Sequence, residues 1–178
     1  RKVQVVAMDP VHTDIWGTQV TTPDVKPNYA KVNIITSVVN QSPTSYDSIT
    51  VSHTIISPEG KELAVQTSTI ALSSGKSRNV ESNLTLTNPQ RWDIGHGVLY
   101  TVKTTIQRKR QILDVTYSDF GIRTMRFTAD HGFYLNDRRV QIKGVNLHHD
   151  HGPLGAAFYP RAMERQLELL QEMGCNAI

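Results

Sequence analysis

The densest run of groups able to do chemistry is His148-His149-Asp150-His151-Gly152. In extended backbone, side chains two apart share a face, so 149 pairs with 151 and 148 with 150. Imidazole beside carboxylate is a donor set that suits several divalent ions. It equally suits a polar loop in which Asp150 accepts hydrogen bonds that hold the loop, and on that reading no metal site is assigned. The glutamates fall in two groups. Glu164, Glu168 and Glu172 lie one helical turn apart, and Glu59, Glu62 and Glu81 lie in the strand-and-turn sequence of the first two-thirds of the chain. Acid–base chemistry by carboxylates needs two of them converging on one bond, and neither group reads that way. Cys175 is the single cysteine, which excludes an intrachain disulfide and a cysteine-built zinc site. With no histidine and orienting partner in view, it reads as a small buried hydrophobe rather than a nucleophile.

The elements that must position these groups are mostly strands. Ala30, Val32, Ile34, Thr36 and Val38 alternate along Tyr29–Val39, and Ile49–Ile56 and Val80–Leu86 keep the same period of two. Gly97–Ile106 and Ile112–Tyr117 predict a hairpin across the basic tip Arg108-Lys109-Arg110. Val3, Val5 and Ala7 predict a strand at the start, which reads as an excised piece of a longer protein. Turn chemistry punctuates the runs at Ser57-Pro58-Glu59-Gly60-Lys61 and Ser73-Ser74-Gly75-Lys76. Seven or so short strands with regular turns over about a hundred residues predict an immunoglobulin-like β-sandwich. Trp16, Trp92 and Tyr100 are assigned to core or interdomain packing rather than to a sugar-stacking platform.

Past residue 120 the pattern changes. Gly132–Ile142 predicts a small hairpin turning at Asn136-Asp137, two residue types that tolerate left-handed backbone. Lys143–Leu147 predicts a short strand that runs into the histidine loop. Pro160 suits a first helical turn, Met163, Leu167, Leu170 and Met173 form one apolar face, and Gly174 stops the helix. Cys175–Ile178 then predicts the start of a second strand. Strand, loop, helix and strand make a βαβ unit, and fewer than fifty residues cannot complete a barrel of about 250. The fold class is therefore mainly β: an immunoglobulin-like β-sandwich over 1–128, then a truncated first βα unit of a (β/α)8 barrel over 129–178.

A net charge of +3 and scattered basic residues exclude a nucleic-acid surface, which needs a broader basic stripe with stacking aromatics. No apolar run is long enough to span a membrane.

Several motifs occur together in the order and spacing of one family. Trp92–Val102, Phe120-Gly121-Ile122-Arg123, Gly132–Asn136, Lys143–Asp150 and Arg161–Ile178 resemble successive segments of the family 2 glycoside hydrolases, from late sandwich strands to first barrel helix. Gly97 stands where that family often has Pro, and Asp137 where Gly is common. The segment Gly152–Tyr159 resembles the β-galactosidase branch more than the glucuronidase one. The resemblance implies a retaining hydrolase of β-galactosides or related β-glycosides, built on an acid/base glutamate and a nucleophilic glutamate about 5 Å apart. None of the glutamates present matches either, so both are expected beyond Ile178 and the segment is expected to be a scaffold, inactive alone.

His148 matches a family histidine that contacts the sugar at the C-terminal end of the first barrel strand, and Asn146 supports the same rim; these two are the candidate substrate-binding residues. The resemblance implies no cofactor for this segment, a divalent or monovalent metal ion as an option for the complete enzyme, a β-glycoside substrate, no nucleic-acid or membrane partner, and a homo-oligomer as an option. Its compartment stays open between cytoplasm and periplasm or exterior of a bacterium. The alternative is a stand-alone β-sandwich that binds carbohydrate or protein.

Overall fold

The computed structural model describes residue 3, residues 5–148 and residues 151–178, in two compact units, Ala7–Thr124 and Met125–Ile178. The expected opening strand falls partly outside them, since Arg1, Lys2 and Gln4 are not described. Val3 and residues 5–9 belong to no strand.

The first unit is a sandwich of seven strands. Strands β1 (Val11–Val25), β2 (Tyr29–Asn40) and β5 (Ser77–Thr87) form one antiparallel sheet in the order β1-β2-β5. Strands β3 (Tyr46–Ile56), β4 (Glu62–Leu72), β6 (Tyr100–Arg108) and β7 (Gln111–Phe120) form the other, in the order β4-β3-β6-β7. The chain crosses between sheets after β2, β4 and β5, so neighbours in space are often distant in sequence. The β3–β4 connection turns at Gly60, φ 84°, and β6–β7 at Lys109, φ 53°. A strictly immunoglobulin-like alternation follows: Ala30, Val32, Ile34, Thr36 and Val38 are all buried inward along β2.

The alternation runs along β2, β3 and β6, broken only where Thr54 of β3 is also buried, and each contributes the same arrangement of side chains. Apolar residues occupy both ends of the inward face, with one polar residue between them. Thr36 on β2, His53 on β3, Ser82 on β5 and Thr104 on β6 are all buried. They separate two apolar clusters. One holds Ala30, Val32, Ile34, Ile55, Leu86 and Val102, the other Val38, Ile49, Val51, Val80 and Ile106. Each fully buried Ile or Val in these clusters stabilises the fold by roughly 2 kcal/mol. His53 spans the sheets through this polar layer. Its Nδ1 lies 2.7 Å from Ser82 Oγ and its Nε2 2.9 Å from Thr36 Oγ1, so one ring nitrogen donates and the other accepts. Thr36 in turn lies 3.2 Å, oxygen to oxygen, from Thr18.

A second feature closes one end of the sandwich. The Trp92 amide donates to the Ile122 carbonyl at 2.9 Å, and the Arg123 guanidinium stacks 4.9 Å from the Trp92 ring. A Cβ on Gly121 would sit 2.9 Å from Trp92 Cβ, so only glycine lets the ring approach. Tyr100, at the start of β6, packs on Phe120 and accepts a hydrogen bond from the Gln90 amide at 2.8 Å. Burial raises its phenol above the ordinary range. Trp92 and Tyr100 are packing residues, as expected.

Four expectations need correction. Strands β1 and β4 were not legible. Two register breaks in β1, between Thr13 and Thr18 and between Thr21 and Asp24, scramble its period, and most of β4 is exposed or half-exposed at a sheet edge. Gly97–Leu99 lie before β6 rather than in it. The run Met125–Thr128, read with the sandwich, pairs instead with β9 of the second unit (Gly132–Leu135). Trp16 is 97% exposed on one of the β1 irregularities, so of core and interdomain packing only the first is excluded.

Burial lowers the His53 pKa from 6.5 to about 4. The folded protein therefore keeps this ring neutral at pH values where the unfolded chain protonates it. Stability from this group is intact above pH 6.5, falls as pH drops toward 4, and the full loss is about 3 kcal/mol. Urea unfolding midpoints at pH 7.5 and 4.5 should separate by less in His53→Gln than in the unmodified chain; an equal separation would contradict this account.

Candidate functional site

The second unit begins with a three-stranded antiparallel meander: β8 (Met125–Thr128), β9 (Gly132–Leu135) and β10 (Arg138–Arg139). The β9–β10 turn has Asn136 and Asp137 at φ 50° and 64°, the two left-handed residues that a two-residue hairpin requires. Phe127 and Phe133 stack at 4.9 Å and Arg126 covers Tyr134 at 4.1 Å. Leu135 is buried.

The chain then reaches the residues expected to carry function. The predicted strand Lys143–Leu147 is reduced to a single parallel bridge, Gly144 to Ala177, and the second predicted strand forms no longer ladder than this. What holds the two segments together is Asn176. Its amide N–H donates to the Lys143 carbonyl at 2.8 Å, its Oδ1 accepts from the Lys143 amide at 2.7 Å, and its Nδ2 donates to the Gln141 carbonyl at 2.9 Å. The Asn side chain thus imitates a further ladder residue. Gly144 permits the approach, because a Cβ there would lie 3.0 Å from the Ala177 oxygen. The sequence signal was an Asn inside a short apolar run with a Gly opposite, which is interpretable only once the two segments are known to be neighbours.

Asn146 and His148 follow this clamp, and both are exposed. His149 and Asp150 lie outside the described residues, so the loop-holding role expected of Asp150 has no structural counterpart here. His151 is buried, with its ring edge-on to Phe158 at 5.9 Å. Among the described residues no three His, Cys, Asp or Glu side chains are grouped as a metal site would need. A short 3-10 turn at Gly152–Leu154 leads to helix α1 (Pro160–Glu172).

Helix α1 starts on Pro160, as the sequence predicts, and ends in a glycine-based cap. The Gly174 amide, φ 86°, donates to the Gln171 carbonyl and the Cys175 amide to the Leu170 carbonyl, each at 2.9 Å. No residue of α1 is buried, the apolar face included. Arg161 bridges Glu164 at 3.1 Å and Glu168 at 2.9 Å, relieving part of the repulsion along that face. Its guanidinium is held above its ordinary pKa, chiefly by Glu168 and then by Glu164. These glutamates are exposed and engaged with Arg161. Cys175 is half-exposed rather than buried.

One unit is thus a two-sheet β-sandwich, and the other carries a meander followed by two bridged segments joined through helix α1, a mainly β protein with an α/β start. Comparison with known proteins gives the family. Residues 13–123 match the model for glycosyl hydrolases family 2, and residues 127–178 match that family's TIM barrel domain. The chain belongs to glycosyl hydrolases family 2. It is 41% identical over its whole length to the beta-galactosidase BoGH2A of Bacteroides ovatus, covering 21% of that protein. It is 26% identical to a beta-glucuronidase of Formosa agariphila, over all of this chain and 19% of that one. Among solved structures, a family 2 member from Bacteroides cellulosilyticus superposes with TM-score 0.90 at 31% identity, over 95% of this chain and 22% of the other. Beta-glucuronidase 2 of Bacteroides uniformis superposes with TM-score 0.84 at 27% identity, over 94% and 21%. The chain thus spans about a fifth of the length of the curated relatives it matches.

Removing the Asn176 amide in Asn176→Ala takes away two of the bonds between the segments. Hydrogen exchange at the Lys143 amide should accelerate about tenfold, the equivalent of one net hydrogen bond of about 1.4 kcal/mol. Unchanged exchange there would show that the clamp does not hold the pair.

Proposed function

We propose that this chain is the sandwich and barrel-entry portion of a retaining O-glycosyl hydrolase acting on β-galactosides or related β-glycosides, and that it is inactive alone. The observation that carries the reading is the 41% identity along the entire chain to a beta-galactosidase, against 30% over 90% of the chain to a putative beta-glucuronidase and 26% over all of it to a beta-glucuronidase. In this reading the sandwich is a scaffold. The segment held by Asn176 delivers Asn146 and His148 to the C-terminal end of the first barrel strand, where barrel enzymes bind substrate. His148 donates a hydrogen bond to a ring hydroxyl of the sugar, a contact that strengthens as positive charge develops at the anomeric carbon. Asn146 supports the same rim.

The two carboxylates required for retention are assigned to residues beyond Ile178. The exposed glutamates of α1 stand on one helix, Glu164 and Glu168 paired with Arg161, rather than facing each other across a bond. No residue of this chain is assigned to a metal.

The test compares hydrolysis of nitrophenyl β-galactoside, β-glucuronide and β-mannoside by the 178-residue chain and by a longer chain carrying a full barrel and a preceding domain. Only the longer chain should turn over, with the galactoside preferred. In it, His148→Ala should lower kcat/KM by about a hundredfold. Turnover by the 178-residue chain would refute the assignment of the carboxylates, and a longer chain inert on every β-glycoside would refute the substrate class.

A further inference from the structure

The polar layer between the two apolar clusters has a direction. Among the described residues Ser82 Oγ has one hydrogen-bond partner, His53 Nδ1 at 2.7 Å. Thr36 Oγ1 has two, His53 Nε2 at 2.9 Å and Thr18 Oγ1 at 3.2 Å. His53, Thr36 and Ser82 are each at most 1% exposed, so bulk water cannot supply a missing partner, and further chain around the sandwich can only deepen that burial. A hydroxyl has one hydrogen to donate and lone pairs to accept. If Nδ1 carried the ring proton, Ser82 would have to accept, and its own hydrogen would have no acceptor among the described residues. If Nε2 carries it, Ser82 donates to Nδ1, Nε2 donates to Thr36 and Thr36 donates to Thr18, so every buried hydrogen of the chain is used. The groups opposite His53 in register are uncharged, Thr104 on β6 and Gln66 on β4, and Gln66 accepts from the Asn83 amide at 3.0 Å. On β7 the same face carries Thr116, opposite Thr104, and Asp114, whose carboxylate accepts from the Thr13 amide at 2.8 Å. Glu81 of β5 and Lys103 of β6 alternate to the outer faces, as does His12 of β1, opposite Val39. Burial alone shifts the pKa of the ring, with no neighbouring charge contributing.

We propose that this one-way chain is an acid-sensitive latch: His53 rests in the Nε2–H tautomer, takes its second proton from water at the Nδ1 lone pair, and thereby releases strand β5 before the rest of the sandwich. A protonated Nδ1 can only donate, so Ser82 must accept and its hydrogen turns away from its one acceptor. The Nε2–H already donates to Thr36, so that bond keeps its direction and gains the charge of the imidazolium. The cost therefore falls on the β5 side. Strand β5 is also weakly placed to bear it. In the sheet order β1-β2-β5 it pairs with β2 alone, whereas β2 and β3 each pair with two strands. Its other ties to the facing sheet are the Asn83–Gln66 bond and the burial of Val80 and Leu86. The latch is closed above pH 6.5 and opens as pH falls toward 4, the range in which a released ring binds a proton and a buried one does not. The device is internal to the sandwich and does not depend on the glycosidase reading.

Two measurements on the 178-residue chain test it. A long-range nitrogen–proton correlation spectrum resolves the ring nitrogens, and His53 is assigned among the seven histidines by the signals that move in Ser82→Ala. At pH 7.5 Nε2 should carry the proton and Nδ1 should not; the reverse, or an even mixture, overturns the proposal. Hydrogen exchange, corrected for its intrinsic pH dependence, then compares β5 with β3 and β6. Between pH 7.5 and 4.5 the protection of the β5 amides should fall by up to about a hundredfold, because a released ring regains its ordinary affinity for protons, and that of β3 and β6 by less. Equal loss in all three strands means that the sandwich opens as a whole and overturns the latch, as does no loss in β5. In His53→Gln, whose amide does not titrate, the excess loss in β5 should vanish; an excess that persists belongs to another group. Ser82→Ala is the milder variant. It should lower β5 protection about tenfold already at pH 7.5, the loss of one buried hydrogen bond, and unchanged protection would show that the bond does not hold the strand.

Discussion

One imidazole ties the two sheets together. His53 leaves the four-stranded sheet at its centre and reaches Thr36 and Ser82 on the other sheet. A core of the same width filled only with aliphatic side chains would gain transfer free energy but would let the sheets slide. A hydrogen-bonded layer between two apolar clusters fixes their offset, because a slip of one pleat would strand buried polar atoms at a cost of about 1–3 kcal/mol each. The division of the core into two apolar clusters goes with that fixed offset.

Two other close approaches do comparable work at the ends of the elements. Gly121 admits the Trp92 ring, and the Arg123 stack covers it, which terminates the sandwich. Gly144 admits Ala177, and Asn176 supplies the hydrogen bonds that a longer ladder would otherwise make. In each case a glycine stands where a backbone or ring must come within van der Waals distance, and a polar or cationic neighbour secures the contact. Both glycines lie in segments that carry the family resemblance, and a side chain at either would crowd its neighbour.

The chemistry follows from this division of labour. A retaining glycosidase holds two carboxylates at a fixed separation, so its scaffold must be rigid before its reactive groups are useful. The described glutamates lie on helix α1, in the β3–β4 turn and on strands β4 and β5 of different sheets. The residues proposed to meet the sugar, Asn146 and His148, follow a clamp made by the backbone and side chain of Asn176.

Much of this was legible in the residues alone. Period-two burial along β2, β3, β5 and β6 follows from transfer free energy acting on alternate side chains, and the turns at Gly60 and Asn136-Asp137 from local backbone sterics. The helix limits at Pro160 and Gly174 come from the same local rules, which is why sequence determines them. Strand β1 was hidden because its bulges break the period that makes strands visible, and β4 because little of it is buried. The polar layer around His53, the clamp at Asn176 and the exposure of Trp16 were decided only by tertiary structure. Each depends on which segments, distant along the chain, lie side by side, and no local preference encodes that distance.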